Sequence, residues 1–135
     1  MRRDVYSGSL TIKGESHYDT LSAAQNYAVS LKELKRFEEA KSVLRKTIPV
    51  ARRALGEDNM RTFGFSKVYA MALYEDPAAT LDDLREAVNT LEDTERTARR
   101  VLGGAHPRTI GIEAALREAR AALRARETPS PPGSA

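Results

Sequence analysis

The sequence repeats itself with a period of about 42 residues. A threonine followed by a large apolar residue occurs three times, and the threonines are 42 and then 47 residues apart. The three occurrences are Thr20–Leu21, Thr62–Phe63 and Thr109–Ile110. A glycine stands six residues before the second and the third threonine, at Gly56 and Gly103. Periods of roughly 20 to 50 residues indicate a solenoid, because a unit of that size cannot bury its apolar face alone and must stack on its neighbours.

The longer second interval contains an insertion whose place can be determined. Leu31 and Leu73 are still 42 residues apart, whereas Ala40 and Ala87 are 47 residues apart. The five extra residues therefore lie in YEDPAATLDD (74–83), between the two halves of the second unit.

Each unit is predicted to be a pair of helices, because its apolar residues recur at helical intervals of three and four. The predicted helices span about 18–34, 37–55, 60–74, the segment from the insertion to 102, and 106–126. For the fourth helix two starts are open: Asp76 as the cap with Pro77 in the first turn, or Thr80 as the cap with Asp83 reaching back to it. The apolar faces of the second and fourth helices centre on Leu44 and Leu91.

Several positions are predicted to disturb these helices or to end them. Pro49 removes a backbone hydrogen bond from the second helix, so we expect a kink near 45–48 or a split there. Gly56 offers a left-handed stop. Glu95 stands where the first unit has Ile48, so it either turns outward or pairs with an arginine.

Composition restricts the classes of function. The 135 residues are 41% hydrophobic and 30% charged, with no cysteine. Disulfides, thiolate catalysis and cysteine-based zinc sites are therefore excluded. No apolar run suits a signal peptide or a membrane span, so we expect a cytoplasmic protein with no membrane contact. The net charge of +3 is only weak evidence for nucleic acid binding.

The side chains whose type could support chemistry have simpler explanations. His17 and His106 occupy the same repeat position, which favours a role in starting helices, and two distant histidines make a poor metal site. Tyr27 and Tyr69 are also equivalent and are expected in the core. No phosphate-binding loop or nucleophile elbow is present. We therefore expect no enzyme, no catalytic residue, no metal and no cofactor.

The repeat resembles the tetratricopeptide repeat, and in particular the 42-residue variant of kinesin light chains. The resemblance rests on one full unit, HYDTLSAAQNYAVSLKELKRFEEAKSVLRKTIPVARRALGED (17–58), and on the partial second and third copies that follow it. It implies an all-α fold, a right-handed α-solenoid of antiparallel helix hairpins with about two and a half repeats and five main helices. It also implies a scaffold that binds peptides or partner proteins in a concave groove lined by the first helix of each pair.

Some positions depart from the family pattern. Lys35 stands where the family usually has a glycine between paired helices. Asn26 matches an asparagine with which the family binds the ligand backbone, but Val68 and Ala115 occupy the equivalent positions of the later copies. The residues with which some relatives hold a C-terminal carboxylate are also not assembled here.

The groove is expected beside the core-facing row of the first helices. Its predicted partner-binding residues are Ser22, Gln25, Asn26, Val29, Lys32, Lys67, Val68, Met71 and Tyr74. This mixed apolar and basic surface suits an extended or helical segment with apolar side chains and some acidic character. Arginines cluster at 96–100 and 117–126, so a module that binds nucleic acid or an acidic surface is a less favoured alternative.

The predicted organisation has three parts. Residues 1–16 are expected to be a degenerate remnant of an upstream repeat. Residues 17–127 form the repeat domain, with units at 17–58 and 59–104 and a closing helix at 105–127, on which Arg117 and Arg120 replace packing residues. Residues 128–135 are expected to be a disordered tail. A second alternative is that the chain is a fragment of a larger adaptor that self-associates by stacking end to end.

Overall fold

The computed structural model describes residues 17–127, and this part of the chain contains five α-helices and no strand. They are α1 (His17–Glu33), α2 (Phe37–Leu55), α3 (Met60–Tyr74), α4 (Leu81–Leu102) and α5 (Pro107–Glu127). The fold is an all-α helical-repeat solenoid, as the sequence predicts. The predictions for residues 1–16 and 128–135 lie outside the described residues.

The helices form an inner and an outer layer. Each helix packs on the next one in the chain, and the first helices of successive units (α1, α3 and α5) also contact one another. The second helices of the described units, α2 and α4, do not approach each other. The layer of first helices therefore lies on the tighter side of the stack, where a groove between neighbouring first helices can open.

The predicted apolar faces of the outer helices are buried. Leu44 and Leu91 are each 0% exposed. The other buried members of the two faces are Phe37, Ala40, Ile48, Ala51, Leu84, Val88 and Ala98. The burial of these faces against the first helices confirms that the helices stack in a row.

The junction between units explains why glycine and threonine recur six residues apart. The Thr62 hydroxyl is buried and donates a hydrogen bond to the Gly56 carbonyl oxygen at 2.8 Å. This bond holds the end of α2 against the start of α3. At the next junction Thr109 is also fully buried, but its hydroxyl has no hydrogen-bond partner among the described residues. The second junction therefore has the same glycine–threonine spacing and the same buried threonine as the first, but not the hydrogen bond.

Both junction glycines adopt a backbone that other residues avoid. Gly56 has φ 90° and ψ 159°, and Gly103 has φ 91° and ψ 154°. The sign of φ agrees with the predicted left-handed stop, but the extended ψ places both residues outside the left-handed helical region. This combination of angles is essentially restricted to glycine. Among the non-glycine residues of 17–127, Lys35 alone has a positive φ, at 65°. This is the position where the family pattern has a glycine, so the lysine adopts the backbone conformation that a glycine would favour.

The structure decides between the alternatives that the sequence leaves for α2 and α4. The helix α2 runs unbroken through Pro49, so the split is wrong. Helix α4 starts from Thr80, whose hydroxyl accepts the Asp83 N–H at 3.1 Å while the Asp83 carboxylate accepts the Thr80 N–H at 3.0 Å. Asp76 instead caps a turn before the helix, accepting the Ala78 N–H at 2.9 Å. Glu95 pairs with Arg99 at 2.7 Å, which selects one of its two predicted roles.

Candidate functional site

The nine predicted groove residues have different exposures. Partly or fully accessible are Ser22, Gln25, Asn26, Val29, Lys67, Met71 and Tyr74. Lys32 and Val68 are buried, each with 8% exposure. A bound segment would therefore reach the first seven more easily than the last two.

Lys32 is neutralised within the chain. Its Nζ lies 3.1 Å from Glu75 Oε1 and 3.3 Å from Glu33 Oε2. Burial of the ammonium lowers the pKa of Lys32, but the hydrogen bonds and charges of the two glutamates outweigh burial and leave the pKa raised. Lys32 thus fastens α1 to the end of α3 and contributes little free positive charge to the inner face.

Tyr74 joins two first helices. Its hydroxyl donates a hydrogen bond to Glu118 Oε1 at 2.7 Å, across from α3 to α5. Burial of the phenol, together with this bond to a carboxylate, raises the pKa of Tyr74. The far end of the inner face therefore carries the carboxylates Glu75 and Glu118.

Tyr69 makes a similar bond on the other side of α3. It is 7% exposed, as expected for a core residue. Its hydroxyl donates to Glu86 Oε2 at 2.5 Å and accepts from Arg45 Nε at 3.3 Å. Burial and the bond to Glu86 raise the pKa of Tyr69, and the Arg45 guanidinium partly opposes this. The phenol links α2, α3 and α4.

These two phenols predict a loss of stability at alkaline pH. A group whose pKa is higher in the folded than in the unfolded chain stabilises the fold below its unfolded pKa, which is about 10 for tyrosine. The stabilisation is lost as the pH rises from there through the folded pKa. Urea unfolding should therefore show a falling free energy of unfolding above about pH 10. Tyr74→Phe should flatten this fall, and it should remove one late step from the ultraviolet titration of tyrosinate. Late steps that persist undiminished in the double variant Tyr69→Phe with Tyr74→Phe would contradict the assignment.

An open groove lies between α3 and α5. Its cavity has a volume of about 330 Å³ and is lined by Phe63, Gly64, Lys67, Pro107, Arg108, Gly111 and Ile112. Of these, sequence reasoning named only Lys67 as a binding residue. The sequence does contain one sign of this groove. Gly64 and Gly111 occupy the same repeat position, at which the first unit has Ser22. Glycine within a helix costs about 1 kcal/mol relative to alanine, so its presence at two equivalent helical positions calls for a reason.

The space above the two glycines is occupied by side chains of neighbouring helices. A Cβ at Gly64 would lie 2.8 Å from Gln25 Nε2 and 3.6 Å from Arg108 Nη1. A Cβ at Gly111 would lie 3.2 Å from Lys67 Nζ. The missing side chains thus let polar groups from α1, α3 and α5 lie close to the helix backbones in the groove.

The arginine cluster at the end of α4 is largely compensated. Its ion pairs among the described residues are Arg96–Asp93 at 2.9 Å, Arg100–Asp58 at 3.4 Å, and Arg99 with both Glu95 and Glu113. Arg120 of α5 pairs with Glu92 at 2.9 Å. These pairs leave a much weaker positive field for nucleic acid than the number of arginines indicates.

His106 has a structural role. Its Nδ1 accepts the Arg108 N–H at 3.0 Å, which caps the first turn of α5 as expected for a helix-start residue. Within residues 17–127 no cluster of three or more potential metal ligands is found. None of the helices in this range combines the length and apolarity needed to cross a bilayer.

Comparison with known proteins agrees with this architecture. A family model described as the tetratricopeptide repeat matches residues 20–59, which cover most of α1, all of α2 and the junction before α3. No curated protein and no solved structure matches the chain. The family match and the helix layout together support a tetratricopeptide repeat at residues 20–59, within an all-α helical-repeat solenoid.

Proposed function

We propose that this chain is a non-catalytic scaffold that binds a segment of a partner protein along the inner face of its first helices. Tetratricopeptide repeats generally mediate protein–protein interaction. The observation that carries the proposal is the α3–α5 groove, an open cavity of about 330 Å³ next to accessible residues of the predicted binding row. We assign the repeat to the 42-residue, kinesin-light-chain-like type on the spacing of its threonines, and we place the protein inside the cell.

The chemistry of the accessible residues supports a peptide as the ligand. Val29 and Met71 supply partly exposed apolar surface, whereas Gln25 and Asn26 supply amide groups that can bond a peptide backbone. Lys67 adds a positive charge. A surface that mixes apolar contacts with a few placed polar groups is typical of peptide-binding grooves.

The proposal is tested by weakening the groove in a defined way. A partner is first captured with the full chain and identified, and its affinity is then measured for the double variant Asn26→Ala with Lys67→Glu. We expect roughly a tenfold or greater loss, since an amide contact is removed and a charge in the groove is reversed.

A matched variant controls for charge and folding. Ser42→Ala with Lys46→Glu makes comparable changes at two exposed positions of the outer helix α2. This variant should bind the partner like the unmodified chain. Equal affinities for all three proteins would exclude the inner face as the binding surface.

End-to-end self-association stays a separate prediction, for which sedimentation of the full chain at increasing concentration is the measurement.

A further inference from the structure

A second groove lies on the outer surface of the stack, between the second helices of the two units. Helices α2 and α4 do not approach each other, and the space between them is an open cavity of about 410 Å³. Arg52 lines this cavity from α2. The lining from α4 includes Asp82, Arg85, Glu86, Asn89 and Asp93. We call this cavity, with α2 and α4 as its two walls, the outer groove.

The α2 wall of the outer groove is basic. The sequence contains no acidic residue between Ala40 and Gly56. The side chain of Arg52 forms no ion pair or hydrogen bond within residues 17–127. The exposed basic residues of this stretch are Arg45, Lys46, Arg52 and Arg53. The wall therefore offers positive charge that its own helix does not neutralise.

The α4 wall is more acidic than basic. Asp82, Glu86 and Asp93 are exposed and stand four and then seven residues apart, so they lie along one side of the helix. Arg85 pairs with Asp82 at 3.5 Å, and Arg96 pairs with Asp93 at 2.9 Å. Exposed pairs of this kind contribute little to stability, so the two aspartates can exchange them for a partner on another surface.

The two walls are in register. The Tyr69 hydroxyl bonds both Arg45 of α2 and Glu86 of α4. Seven residues further along each helix, Arg52 and Asp93 line the same cavity. Seven residues advance a helix by about 10.5 Å, so α2 and α4 run side by side in the same direction. Basic residues of α2 thus stand at the same height as acidic residues of α4, and no ion pair joins Arg52 to Asp93 across the described groove.

A surface with one basic and one acidic wall is complementary to a second copy of itself. Two copies can face each other with their outer surfaces, related by a twofold axis that runs along the groove. The rotation keeps the height along the groove and exchanges its two sides, so α2 of one copy lies on α4 of the other. Arg52 of each copy then faces Asp93 of the other copy. Such a self-complementary contact is the usual form of a symmetric dimer interface.

We propose that the outer groove is a homodimer interface in which Arg52 of each copy pairs with Asp93 of the other. A second copy fits better than a uniformly acidic or basic partner, because such a partner would be attracted by one wall and repelled by the other. The large exposed apolar side chains of residues 17–127 lie outside this groove, so the dimer is weak and depends on salt. Both inner faces stay open in the dimer, which presents two binding rows at once.

Sedimentation of the full chain at low and high salt is the first test. Between about 0.01 M and about 1 M salt the Debye length falls from about 30 Å to about 3 Å. We expect a monomer–dimer equilibrium at low salt, with no larger species. Its dissociation constant should rise roughly tenfold or more at high salt, because the contact is mainly electrostatic.

Reversing one charge should break the contact twice, because each pair occurs twice in a symmetric dimer. Arg52→Glu and Asp93→Arg should each weaken self-association by roughly tenfold or more at low salt. Arg117→Glu and Glu57→Arg are the matched controls. They make the same two changes of net charge at exposed positions that do not line the outer groove. Both controls should associate as the unmodified chain does.

A mixture of the two single variants gives the sharpest test. In a mixed dimer of Arg52→Glu with Asp93→Arg, the two introduced charges meet on one side of the axis and the two original charges meet on the other. Both pairs are attractive, so the mixture should dimerise about as strongly as the unmodified chain although neither variant does so alone. This recovery would also show that both variants are folded. The double variant should associate with itself for the same reason.

Three results would overturn the inference. They are an unmodified chain that stays monomeric at low salt at every concentration, single variants that associate as the unmodified chain does, and a mixture that does not recover. Association that survives in both single variants and continues beyond the dimer would place the contact at the ends of the stack instead. None of these measurements needs a partner protein, whereas the proposed function fails if partner affinity is unchanged in the Asn26→Ala, Lys67→Glu variant. The two failures are therefore distinguishable.

Discussion

Phe65→Ala is expected to lower the free energy of unfolding by about 3–5 kcal/mol. Phe65 is 0% exposed and belongs to the main core cluster. The substitution removes the buried ring and leaves a cavity that the surrounding helices can only partly close. Domains of this size are stable by roughly 5–15 kcal/mol, so this loss would be a large part of the total. Urea unfolding of the full chain, followed by circular dichroism at the helix signal, is the measurement.

An exposed apolar side chain provides the comparison for Phe65. Ile110 lies in the first turn of α5 and is 50% exposed. Its truncation to alanine should change the free energy of unfolding by no more than about 0.5 kcal/mol. If both substitutions had the same small effect, Phe65 would not lie in the core and the position assigned to α3 would be wrong.

Phe65 also illustrates which helices can be read from the sequence. The outer helices α2 and α4 bury one face, so their apolar residues form clean stripes and the prediction for Leu44 and Leu91 is confirmed. The central first helix α3 packs against all four of the other described helices. Ten of its residues are buried and they surround the helix. A single apolar stripe drawn through Phe63, Ala70 and Leu73 at helical spacing therefore leaves Phe65 out.

How well the sequence predicts a helix boundary depends on the residues that stand at that boundary. The end of α2 before Gly56 and that of α4 before Gly103 follow from residues whose backbone preferences are strong. The sequence alone does not decide the start of α4 because Asp76 and Thr80 are both good caps, and only the folded chain shows that Asp76 is used in the preceding turn. Local sequence gives the candidates, and the space available to the chain selects one.

The candidate site was only partly predictable for a different reason. The row of accessible residues on α1 and α3 follows from helix geometry, but the charge that it offers depends on contacts distant in sequence. Lys32 pairs with Glu75, 43 residues away, whereas Lys67 has no such partner among the described residues. Long side chains on neighbouring helices can reach several alternative partners. A sequence pattern therefore locates the lysines without showing which of them stays available to a ligand.

Gly103→Ala is expected to lower the free energy of unfolding by about 1–3 kcal/mol. Gly103 combines φ 91° with ψ 154° where α4 turns toward α5. A side chain strongly disfavours this backbone conformation, and no heavy atom outside the chain neighbours lies within 4 Å of where its Cβ would be. The expected loss therefore comes from the backbone and not from a clash with surrounding groups. Gly56→Ala, at the equivalent junction with φ 90°, should cost a similar amount.

The neighbouring glycine supplies the control for Gly103. Gly104 does not have a positive φ, and a Cβ there would lie 2.6 Å from Arg99 Nη1, the movable end of an exposed side chain. Gly104→Ala should therefore shift Arg99 and weaken its exposed ion pairs, at a cost below about 1 kcal/mol. The comparison uses urea unfolding of the two single variants under the same conditions. A larger loss for Gly104→Ala than for Gly103→Ala would show that crowding, and not the backbone conformation, governs this junction between units.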